Sequence, residues 1–466
     1  MIEAIHGVIN AISGFLYQPY IVPLFLVAAG LYFTVRTGLL QIRLFGESIK
    51  VVNEKPKDKK SVSSFGALMV STASRVGTGN IIGVSTAICL GGFGAIFWMW
   101  ITAILGGASA FIESTLAQIY KHKDSDGTYY GGPSYYMQNA LKQRWLGIIF
   151  AVILILTYVV GYNMLASFNT QDTFKTFSFY DPSKTPIIIG AILAVLFALC
   201  VLGGGKRLTN ITGILVPVMG LIYIVVSLIV VIMNITNLPL VLKNIFVAAF
   251  DFKAIFGGFA GSCMMWGIKR GLYSNEAGMG STPHAHAQAK VKCPHEQGVV
   301  AMIGVFIDTF VVLTMTALVV ISTLYTGDGI LSGVMTSSEN LDALGVAKTN
   351  LAQLAFGSVF GESFGSAFVA ICLLFFAFTT IIGWNLFGRI NIEYLFGKKA
   401  VLPYSIIAIA FIFLGSLLSN DLVWELTDMF NQLMVIPNVI ALLALGGLVA
   451  ASAKAGNSET LENVKK

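Results

Sequence analysis

The residues from Ser71 to Val84, STASRVGTGNIIGV, interrupt a long apolar segment with glycine, hydroxyl and charged side chains. Glycine occupies positions 77, 79 and 83, and arginine occupies position 75. A membrane helix departs from helical geometry only where its backbone is buried in protein or lines a cavity. A hydrophobic segment that is interrupted by glycine therefore indicates a transport site.

A break in this helix would offer both kinds of backbone group to a ligand. The N–H groups that begin one half-helix are partially positive and suit a carboxylate, whereas the carbonyl groups that end the other half suit a cation. We assign a carboxylate to the backbone of Gly77, Thr78 and Gly79, where missing side chains permit close approach, and Asn80 can add its amide. The alternative is a helix-packing face, but glycines two residues apart do not fit the period of about four residues that such faces have.

A second irregular stretch runs from Gly257 to Ala287, GGFAGSCMMWGIKRGLYSNEAGMGSTPHAHA. Lys269 and Arg270 interrupt it, and we expect the helix to break at Gly267. The two irregular stretches are five membrane crossings apart and therefore run in opposite directions. This arrangement is typical of an inverted repeat in which each half opens with a discontinuous helix. Two opposed broken helices suit a zwitterion together with a small metal cation.

A pair of hydroxyl side chains, Thr379 and Thr380, lies in the apolar run FFAFTTIIGWN. Hard cations prefer oxygen ligands, so two hydroxyls and freed carbonyl groups would hold sodium without a carboxylate. The alternative is that both hydroxyls donate to carbonyl groups of their own helix.

Charged residues inside membrane segments are functional candidates. Arg75 has acidic candidate partners in Glu113, Glu276 and Asp308, and such a pair would act in a gate. Lys269 and Arg270 also need partners. The alternative for all three cations is a structural pair or a side chain that extends to the membrane surface.

An enzymatic function has no support in the sequence. His284 and His286 point to different faces of a helix because they are two residues apart, and their spacing to Cys293 and His295 fits no zinc pattern. The chain contains no nucleophile elbow, Walker loop or HExxH motif. We expect no cofactor other than a coupling ion.

The composition is that of an integral membrane protein. Of the 466 residues, 56% are hydrophobic and only 11% are charged, whereas soluble domains have about 25% charged residues. Apolar runs of spanning length predict an all-α fold with about eleven transmembrane helices. The predicted segments are Ile21–Val35, Phe65–Leu90, Phe93–Tyr120, Trp145–Phe174, Pro186–Leu202, Ile211–Met233, Phe256–His286, Gly298–Leu324, Phe364–Tyr394, Val401–Leu418 and Leu422–Ala451.

The distribution of lysine and arginine predicts the orientation. The loops and tail on one side of these segments carry 21 Lys and Arg residues, and the loops on the other side carry five. The basic side is cytoplasmic by the positive-inside rule, which places the N-terminus outside and the C-terminus inside the cell. The formal net charge of +6 reflects this bias and needs no nucleic-acid partner. A polar external loop follows the eighth segment, and its stretch Leu341–Phe360 has helical spacing that could cap an external vestibule.

Four motifs carry a resemblance to a known family: GTGNIIG at 77–83, GGPSYYM at 131–137, GGGKRLTN at 203–210 and WGIKRGLYSNEAGMGSTPHAHA at 266–287. Together they resemble the alanine/glycine:cation symporter family over nearly the whole chain. The resemblance implies a LeuT-like fold of five plus five inverted helices with one extra helix before them. It also implies sodium-coupled uptake of small neutral amino acids, alanine and glycine foremost.

The resemblance also implies a set of site residues. A sodium site would comprise the carbonyl groups of Ala73, Val76 and Phe376 with the hydroxyls of Thr379 and Thr380. The second break would place the backbone of Cys263, Met264, Gly267 and Ile268 around the substrate, with Trp266 beside it. On the fourth segment, Phe168 and Gln171 would supply an aromatic wall and a polar selectivity contact.

We therefore expect a multi-pass protein of the cell membrane that imports a small neutral amino acid with sodium by alternating access. The alternatives are a proton-coupled carrier, a channel and, less favoured, a membrane enzyme. No obligate protein partner is expected. The expected organisation is an N-terminal helix, extra membrane helix and basic loop (1–60), a first repeat (61–233), a second repeat (234–453) and a cytoplasmic tail (454–466).

Overall fold

The computed structural model describes residues 2–16, 21–54, 62–124, 127–201, 204–251, 262–333 and 346–455. Almost every element in these ranges is helical, which confirms the predicted all-α class. Seven helices among the described residues are long and apolar enough to cross a membrane, and shorter apolar helices accompany them. Three predicted features lie outside the described residues. They are the start of the seventh segment at Phe256, the first residues of the Leu341–Phe360 helix and the tail from position 456.

The first half of the chain contains helices α1 to α12. Their bounds are Ile2–Leu16, Val22–Arg36, Leu40–Arg43, Phe45–Asn53, Ser64–Arg75, Ile82–Gly91, Gly94–Ile119, Pro133–Asn139, Arg144–Leu156, Asn163–Asp172, Thr185–Val201 and Gly204–Met233. Two short strands, β1 (His122–Lys123) and β2 (Tyr129–Tyr130), form an antiparallel pair between α7 and α8.

The second half contains helices α13 to α21. Their bounds are Leu238–Ala249, Cys263–Asn275, Pro283–Ala287, Pro294–Phe306, Thr314–Leu324, Leu351–Phe360, Glu362–Phe396, Val401–Gly415 and Asn420–Ala455. The second half of the predicted Leu341–Phe360 helix is present as α18, whereas residues 346–350 before it are not helical.

The outer helices expose apolar side chains, as lipid contact requires. Leu221 and Ile222 on α12 and Ile406 on α20 are more than half exposed. By contrast, the residues from Ser71 to Cys89 in α5 and α6 are buried throughout. The broken second segment therefore lies at the centre of the bundle, although it contains many polar residues.

The predicted first break is present between α5 and α6. The backbone is extended at Val76 and Gly77, and a 3₁₀ turn covers Thr78–Asn80 before α6 begins at Ile82. The Gly77 N–H donates to the Asn80 side-chain oxygen over 2.9 Å. This hydrogen bond holds the turn, so the pairing of Gly77 with Asn80, three residues later, fixes where the helix stops.

The second break lies between α14 and α15, and the prediction that it falls at Gly267 is wrong. Helix α14 continues through Gly267 to Asn275. A Cβ atom at Gly267 would lie 2.5 Å from the Ala95 carbonyl oxygen, so this glycine serves close packing against α7. The chain leaves helical geometry at Glu276, whose φ is 52°, and Gly278 and Gly280 also have positive φ.

Two membrane segments contain a turn of π-helix that the sequence analysis does not predict. One covers Thr157–Tyr162 between α9 and α10, and the other covers Ile307–Leu313 between α16 and α17. Single π-helical turns occur frequently at functional sites because they shift the side chains that follow. The first turn precedes Asn169, which contacts Thr78, and the second contains Asp308, which contacts Asn80.

Candidate functional site

The two breaks meet at the end of α14. The hydroxyl of Thr78 lies 3.4 Å from the hydroxyl of Tyr273, the third-last residue of that helix. A Cβ atom at Gly79 would lie within 2.9 Å of the Tyr273 ring. The glycine is therefore needed for the two segments to approach, which is the close-packing role that the alternative interpretation gives it.

The first break has two N–H groups that suit an anion. Within the described residues, the hydrogen bonds of this turn use the N–H groups of Gly77, Asn80 and Ile81, and none uses those of Thr78 and Gly79. All of these residues are buried. Two adjacent buried N–H groups without a protein acceptor are a favourable place for a carboxylate.

The amide of Asn80 has a structural role in addition to the predicted one. Its oxygen accepts from the Gly77 N–H, and its Nδ2 donates to the Asp308 carboxylate over 2.7 Å. Both ends of this amide are engaged by protein, so Asn80 shapes the turn that presents the Thr78 and Gly79 N–H groups.

Four of the five predicted sodium ligands come together in the structure. The Thr380 hydroxyl lies 2.6 Å from the Phe376 carbonyl oxygen and 3.4 Å from the Val76 carbonyl oxygen. The Thr379 hydroxyl lies 3.1 Å from the same Phe376 oxygen. Ala73 is buried in the last turn of α5, and no hydrogen bond joins it to the other four among the described residues.

This oxygen cluster joins two segments that are distant in sequence. A Cβ atom at Gly77 would lie 2.5 Å from the Thr380 hydroxyl oxygen, and one at Gly383 would lie 3.1 Å from the Ser74 backbone nitrogen. Both threonines also donate to carbonyl groups of α19, as the alternative interpretation predicts. Neutral oxygens from a break and from a neighbouring helix nevertheless form a donor set that suits a hard monovalent cation.

Asn169 is the residue of the fourth segment that reaches the first break, and the sequence analysis missed it. Its Nδ2 lies 3.4 Å from the Thr78 hydroxyl, and its Oδ1 has no hydrogen-bond partner among the described residues. The predicted Phe168 is buried beside it. The predicted Gln171 accepts a hydrogen bond from the Tyr180 hydroxyl at 3.1 Å, two residues farther along α10.

Aromatic side chains bound the space next to Thr78. The Tyr162 ring contacts those of Tyr273 and Trp384, with centroids 5.0 and 4.7 Å apart, and Tyr158 stacks on Trp384 at 5.9 Å. All four side chains are buried. These ring contacts form a continuous buried aromatic cluster that reaches Thr78 through Tyr273.

Glu276 links three segments at the second break. Its buried carboxylate accepts hydrogen bonds from the Ser74 hydroxyl at 2.9 Å, the Ser281 hydroxyl at 3.0 Å and the Trp384 indole at 2.7 Å. These donors belong to α5, to the second break and to α19. The position of Trp384 in the aromatic wall therefore depends on the break in the seventh segment.

Two further buried carboxylates satisfy polar groups of the breaks. Asp308 accepts from the Ser274 and Thr309 hydroxyls as well as from Asn80. Glu113 accepts from the N–H groups of Gly278 and Gly280 at 3.3 and 3.2 Å and from the Asn438 amide. Such bonds compensate the cost of irregular backbone at membrane depth.

Arg75 binds the second break through neutral oxygen atoms. Its guanidinium donates to the Asn275 carbonyl at 2.7 Å, the Thr282 hydroxyl at 2.9 Å and the Ala301 carbonyl at 3.4 Å. Among the described residues, no ion pair joins Arg75 to Glu113, Glu276 or Asp308, the carboxylates predicted as its partners. These hydrogen bonds of Arg75 hold the end of α5, next to the first break, against the second break.

The residues predicted to surround the substrate lie in the first half of α14, away from the observed second break. The first two turns of this helix contain Cys263, Met264, Trp266 and Ile268. At a rise of about 1.5 Å per residue, Gly267 is roughly 13 Å from Glu276. Their assignment depended on a break at Gly267, so the structure does not bring them together with Thr78.

A cluster of charges and rings lies in the middle of α14, one turn before Tyr273. Asp428 on α21 pairs with Lys269 at 2.6 Å and with Arg270 at 3.1 Å. The Arg270 guanidinium also lies 5.3 Å from the Trp266 ring centroid and 4.0 Å from that of Trp424. The predicted intramembrane cations therefore have a structural partner.

The family motifs outside the breaks also have packing roles. Gly132 in GGPSYYM has a φ of 138°, and a Cβ atom there would collide with the His284 ring. His284 in turn contacts Ser281 and Asn391 through its two ring nitrogens, and His286 contacts Gln297. Both histidines thus have protein partners that fix α15.

Comparison with known proteins gives a consistent result. Residues 2–465 match the model of the sodium:alanine symporter family. The chain is 38% identical over 462 residues to the sodium/alanine symporter AgcS of Methanococcus maripaludis, covering 97% of each protein. It is 40% identical over 457 residues to the probable sodium/glutamine symporter GlnT of Bacillus subtilis, covering 97% of this chain and 90% of GlnT.

Solved structures support the fold. The crystal structure of MhsT in complex with L-phenylalanine superposes with a TM-score of 0.54 over 87% of this chain and 94% of MhsT, at 14% sequence identity. The structural neighbours are LeuT-fold transporters. The LeuT-like architecture that the sequence motifs imply is thus confirmed.

Proposed function

The chain belongs to the sodium:alanine symporter family, and from this premise we propose that it imports small neutral amino acids together with sodium, alanine and glycine foremost. Family members and structural neighbours are transporters, so the chain is an amino-acid transporter of the membrane and not an enzyme. Sodium is the proposed coupling ion.

The observation that carries the proposal is the position of Gly77 between two complementary groups of atoms. On one side, the N–H groups of Thr78 and Gly79 suit the substrate carboxylate. On the other side, the Val76 carbonyl lies beside the Thr380 hydroxyl, in a set of oxygens that suits sodium. Because both groups belong to one short turn, an ion that fixes this turn also organises the carboxylate site.

We propose that this shared turn is the physical basis of coupling. Sodium would bridge the break and α19, and the N–H groups of Thr78 and Gly79 would then be fixed for the amino acid. Asn169 would contact the bound amino acid with its open amide oxygen. The Trp384 ring, held by Glu276, would limit the length of the substrate side chain, which favours alanine and glycine over larger amino acids.

We propose that the protein lies in the cell membrane with an external N-terminus and a cytoplasmic C-terminus, as the positive-inside bias predicts. Sodium would then enter down its gradient. The membrane potential contributes about 2.3 kcal/mol per charge per 100 mV to this movement. That energy drives uptake by alternating access.

A proton-coupled carrier is the second candidate, and the three buried carboxylates at the breaks favour it. Replacing sodium by choline at constant pH discriminates between the two. Sodium coupling predicts that a purified, reconstituted protein loses alanine uptake in choline. Proton coupling predicts that uptake continues in choline and follows an imposed pH gradient.

The residue test uses Thr380→Ala, which should abolish sodium-dependent alanine uptake in proteoliposomes. Thr86→Ala is a matched control because the Thr86 hydroxyl is also buried and donates only to its own helix, at Ile82. Sodium-driven uptake that persists unchanged in Thr380→Ala would exclude the proposed sodium site. A glutamine preference over alanine would exclude the proposed substrate but leave the sodium site intact.

A further inference from the structure

The Tyr273 hydroxyl lies beside the turn that presents the Thr78 and Gly79 N–H groups. Its hydrogen-bond partner in the part of the chain that the structure describes is the Thr78 hydroxyl, 3.4 Å away. Ordinary O–H···O hydrogen bonds measure about 2.5–3.0 Å, so this contact is long. The Tyr273 hydroxyl is therefore held next to the turn without forming a strong hydrogen bond to it.

The ring of Tyr273 also packs against Gly79. A Cβ atom at Gly79 would lie 2.8 Å from Cε1 and 2.9 Å from Cδ1 of this ring. Because Cε1 is bonded to the ring carbon that carries the hydroxyl, this edge brings the hydroxyl alongside the turn. One phenol hydroxyl and two backbone N–H groups are thus placed around the same short stretch of backbone.

Contacts with two other rings fix the position of the Tyr273 side chain. Its ring centroid lies 5.0 Å from that of Tyr162 and 5.4 Å from that of Trp424. The Arg270 guanidinium lies 4.0 Å from the Trp424 centroid, and Asp428 holds this guanidinium by an ion pair at 3.1 Å. The hydroxyl retains rotation about its C–O bond, whereas the ring is already in place. A donor that is positioned in advance loses little entropy when it binds a ligand.

The polar groups at this turn favour a ligand that accepts hydrogen bonds. The N–H groups of Thr78 and Gly79 can only donate, and the Thr78 hydroxyl has the neutral side chains of Tyr273 and Asn169 as its hydrogen-bond partners among the described residues. A carboxylate accepts several hydrogen bonds through its two oxygens. Hydrogen bonds to an ionised acceptor are about twice as strong as those between neutral groups. A carboxylate at this turn would therefore compete successfully with Thr78 for the Tyr273 hydroxyl.

We propose that the Tyr273 hydroxyl donates a hydrogen bond to the substrate carboxylate, as a third donor beside the N–H groups of Thr78 and Gly79. This inference rests on the proposed function, because it takes the turn as the carboxylate site. It makes Tyr273 a specificity residue for the α-carboxylate, which every amino acid carries, and not for the side chain. A site built from matched hydrogen-bond partners discriminates strongly against analogues that lack the recognised group.

The test measures equilibrium binding of radiolabelled alanine and of radioactive sodium to the full-length protein in nanodiscs. Tyr273→Phe removes the hydroxyl and retains the ring that packs against Gly79. We expect alanine binding to be at least about tenfold weaker, as the loss of a hydrogen bond to a charged group implies. Sodium binding in the absence of amino acid should be unchanged, because the sodium site does not use this hydroxyl.

Tyr223→Phe is the matched control. The Tyr223 hydroxyl is also buried and also pairs with a threonine hydroxyl, that of Thr316 at 2.7 Å. Alanine binding to this variant should equal that of the wild type. Unchanged alanine affinity in Tyr273→Phe, or a loss of sodium affinity as large as the loss of alanine affinity, would overturn the proposal.

The variant Thr78→Val separates a direct contact from an effect through Thr78. It removes the hydroxyl partner of Tyr273 and retains both backbone N–H groups. A direct contact predicts that Tyr273→Phe weakens alanine binding by the same factor in this background as in the wild type. An effect of Tyr273→Phe that disappears in the Thr78→Val background would show that Tyr273 only supports the turn, and would contradict the proposal.

A change on the ligand tests the same contact in the wild-type protein. Alanine methyl ester retains the ammonium and methyl groups of alanine and lacks the carboxylate charge. We expect it to compete at least about tenfold less well than alanine, and we expect this difference to shrink in Tyr273→Phe. Equal competition by the ester and by alanine in the wild type would also overturn the proposal.

Failure of the proposed function would give a different result. Wild-type alanine binding that does not require sodium would exclude the proposed coupling ion, and binding of glutamine instead of alanine would exclude the proposed substrate. In either case, the effect of Tyr273→Phe on binding of the accepted amino acid still tests the contact, because both amino acids carry the same α-carboxylate.

Discussion

The approach of Gly77 to Thr380 gives the sharpest prediction about coupling. In Gly77→Ala, the new methyl group would lie 2.5 Å from the Thr380 hydroxyl oxygen and 3.1 Å from its Cγ2. The backbone angles at Gly77, φ −142° and ψ −154°, are accessible to alanine. The expected effect therefore comes from steric overlap with Thr380 and not from backbone strain.

The size of this effect follows from the cost of overpacking. Inserting a methyl group into a tightly packed site costs about 1–3 kcal/mol. If relief of the overlap moves Thr380 away from the Val76 carbonyl, the same free energy is lost from sodium binding. This corresponds to a sodium affinity about 5-fold to 150-fold weaker, since 1.4 kcal/mol is a factor of about ten.

The assay is the sodium concentration that gives half-maximal alanine uptake in proteoliposomes. Gly83→Ala is the control in the same segment, because a Cβ atom there has its nearest neighbour at 3.9 Å, on Tyr273, which is ordinary van der Waals contact. We expect an increased half-maximal sodium concentration in Gly77→Ala and an unchanged one in Gly83→Ala. A folded Gly77→Ala protein with the wild-type sodium dependence would refute the reasoning.

Two further variants test other contacts. Asp428→Asn removes the carboxylate that pairs with Lys269 and Arg270, and removal of one partner of a buried pair costs about 3–5 kcal/mol. We therefore expect a lower unfolding temperature in a thermal melt. An unchanged unfolding temperature would show that the cluster does not stabilise the fold. Asn169→Ala removes the amide near Thr78. The loss of one hydrogen bond costs about 0.5–1.5 kcal/mol, which predicts alanine binding that is weaker by up to about tenfold. An alanine affinity equal to that of the wild-type protein would exclude this contact.

The first break could be predicted from sequence because its cause is local. Glycine at 77 and 79, within an apolar segment, cannot be explained by helix packing alone, and Asn80 three residues after Gly77 supplies the side chain that holds the turn. The same local logic applies to the hydroxyl pair on α19. Neither inference depends on knowing which distant residues are neighbours.

The second break lies away from its predicted position because the charges at 269 and 270, which suggest an interruption, are compensated inside the protein. Their partner, Asp428, is more than 150 residues away in sequence, and it allows α14 to continue through them. A local signal did exist in NEAGMGSTP, where Gly278, Gly280 and Pro283 follow one another closely. Such a combination of glycine and proline is a stronger indication of a break than charge is.

The contact between Asn169 and Thr78 could not be predicted in the same way. Phe168, Asn169 and Gln171 are neighbours on one helix, and the side chain that faces the break depends on the helix rotation. The π-helical turn at Thr157–Tyr162 changes that rotation. No pattern in the sequence predicts this turn.

The central claim is that sodium and the amino acid bind to opposite sides of one turn and stabilise each other. Such coupling is reciprocal, because each ligand must change the affinity of the other by the same factor. The direct measurement is alanine binding to the purified protein across a sodium titration, with choline replacing sodium. We predict that sodium tightens alanine binding at least tenfold, that alanine tightens sodium binding equally, and that Thr380→Ala removes both effects. Equal alanine affinity in sodium and in choline would contradict the account.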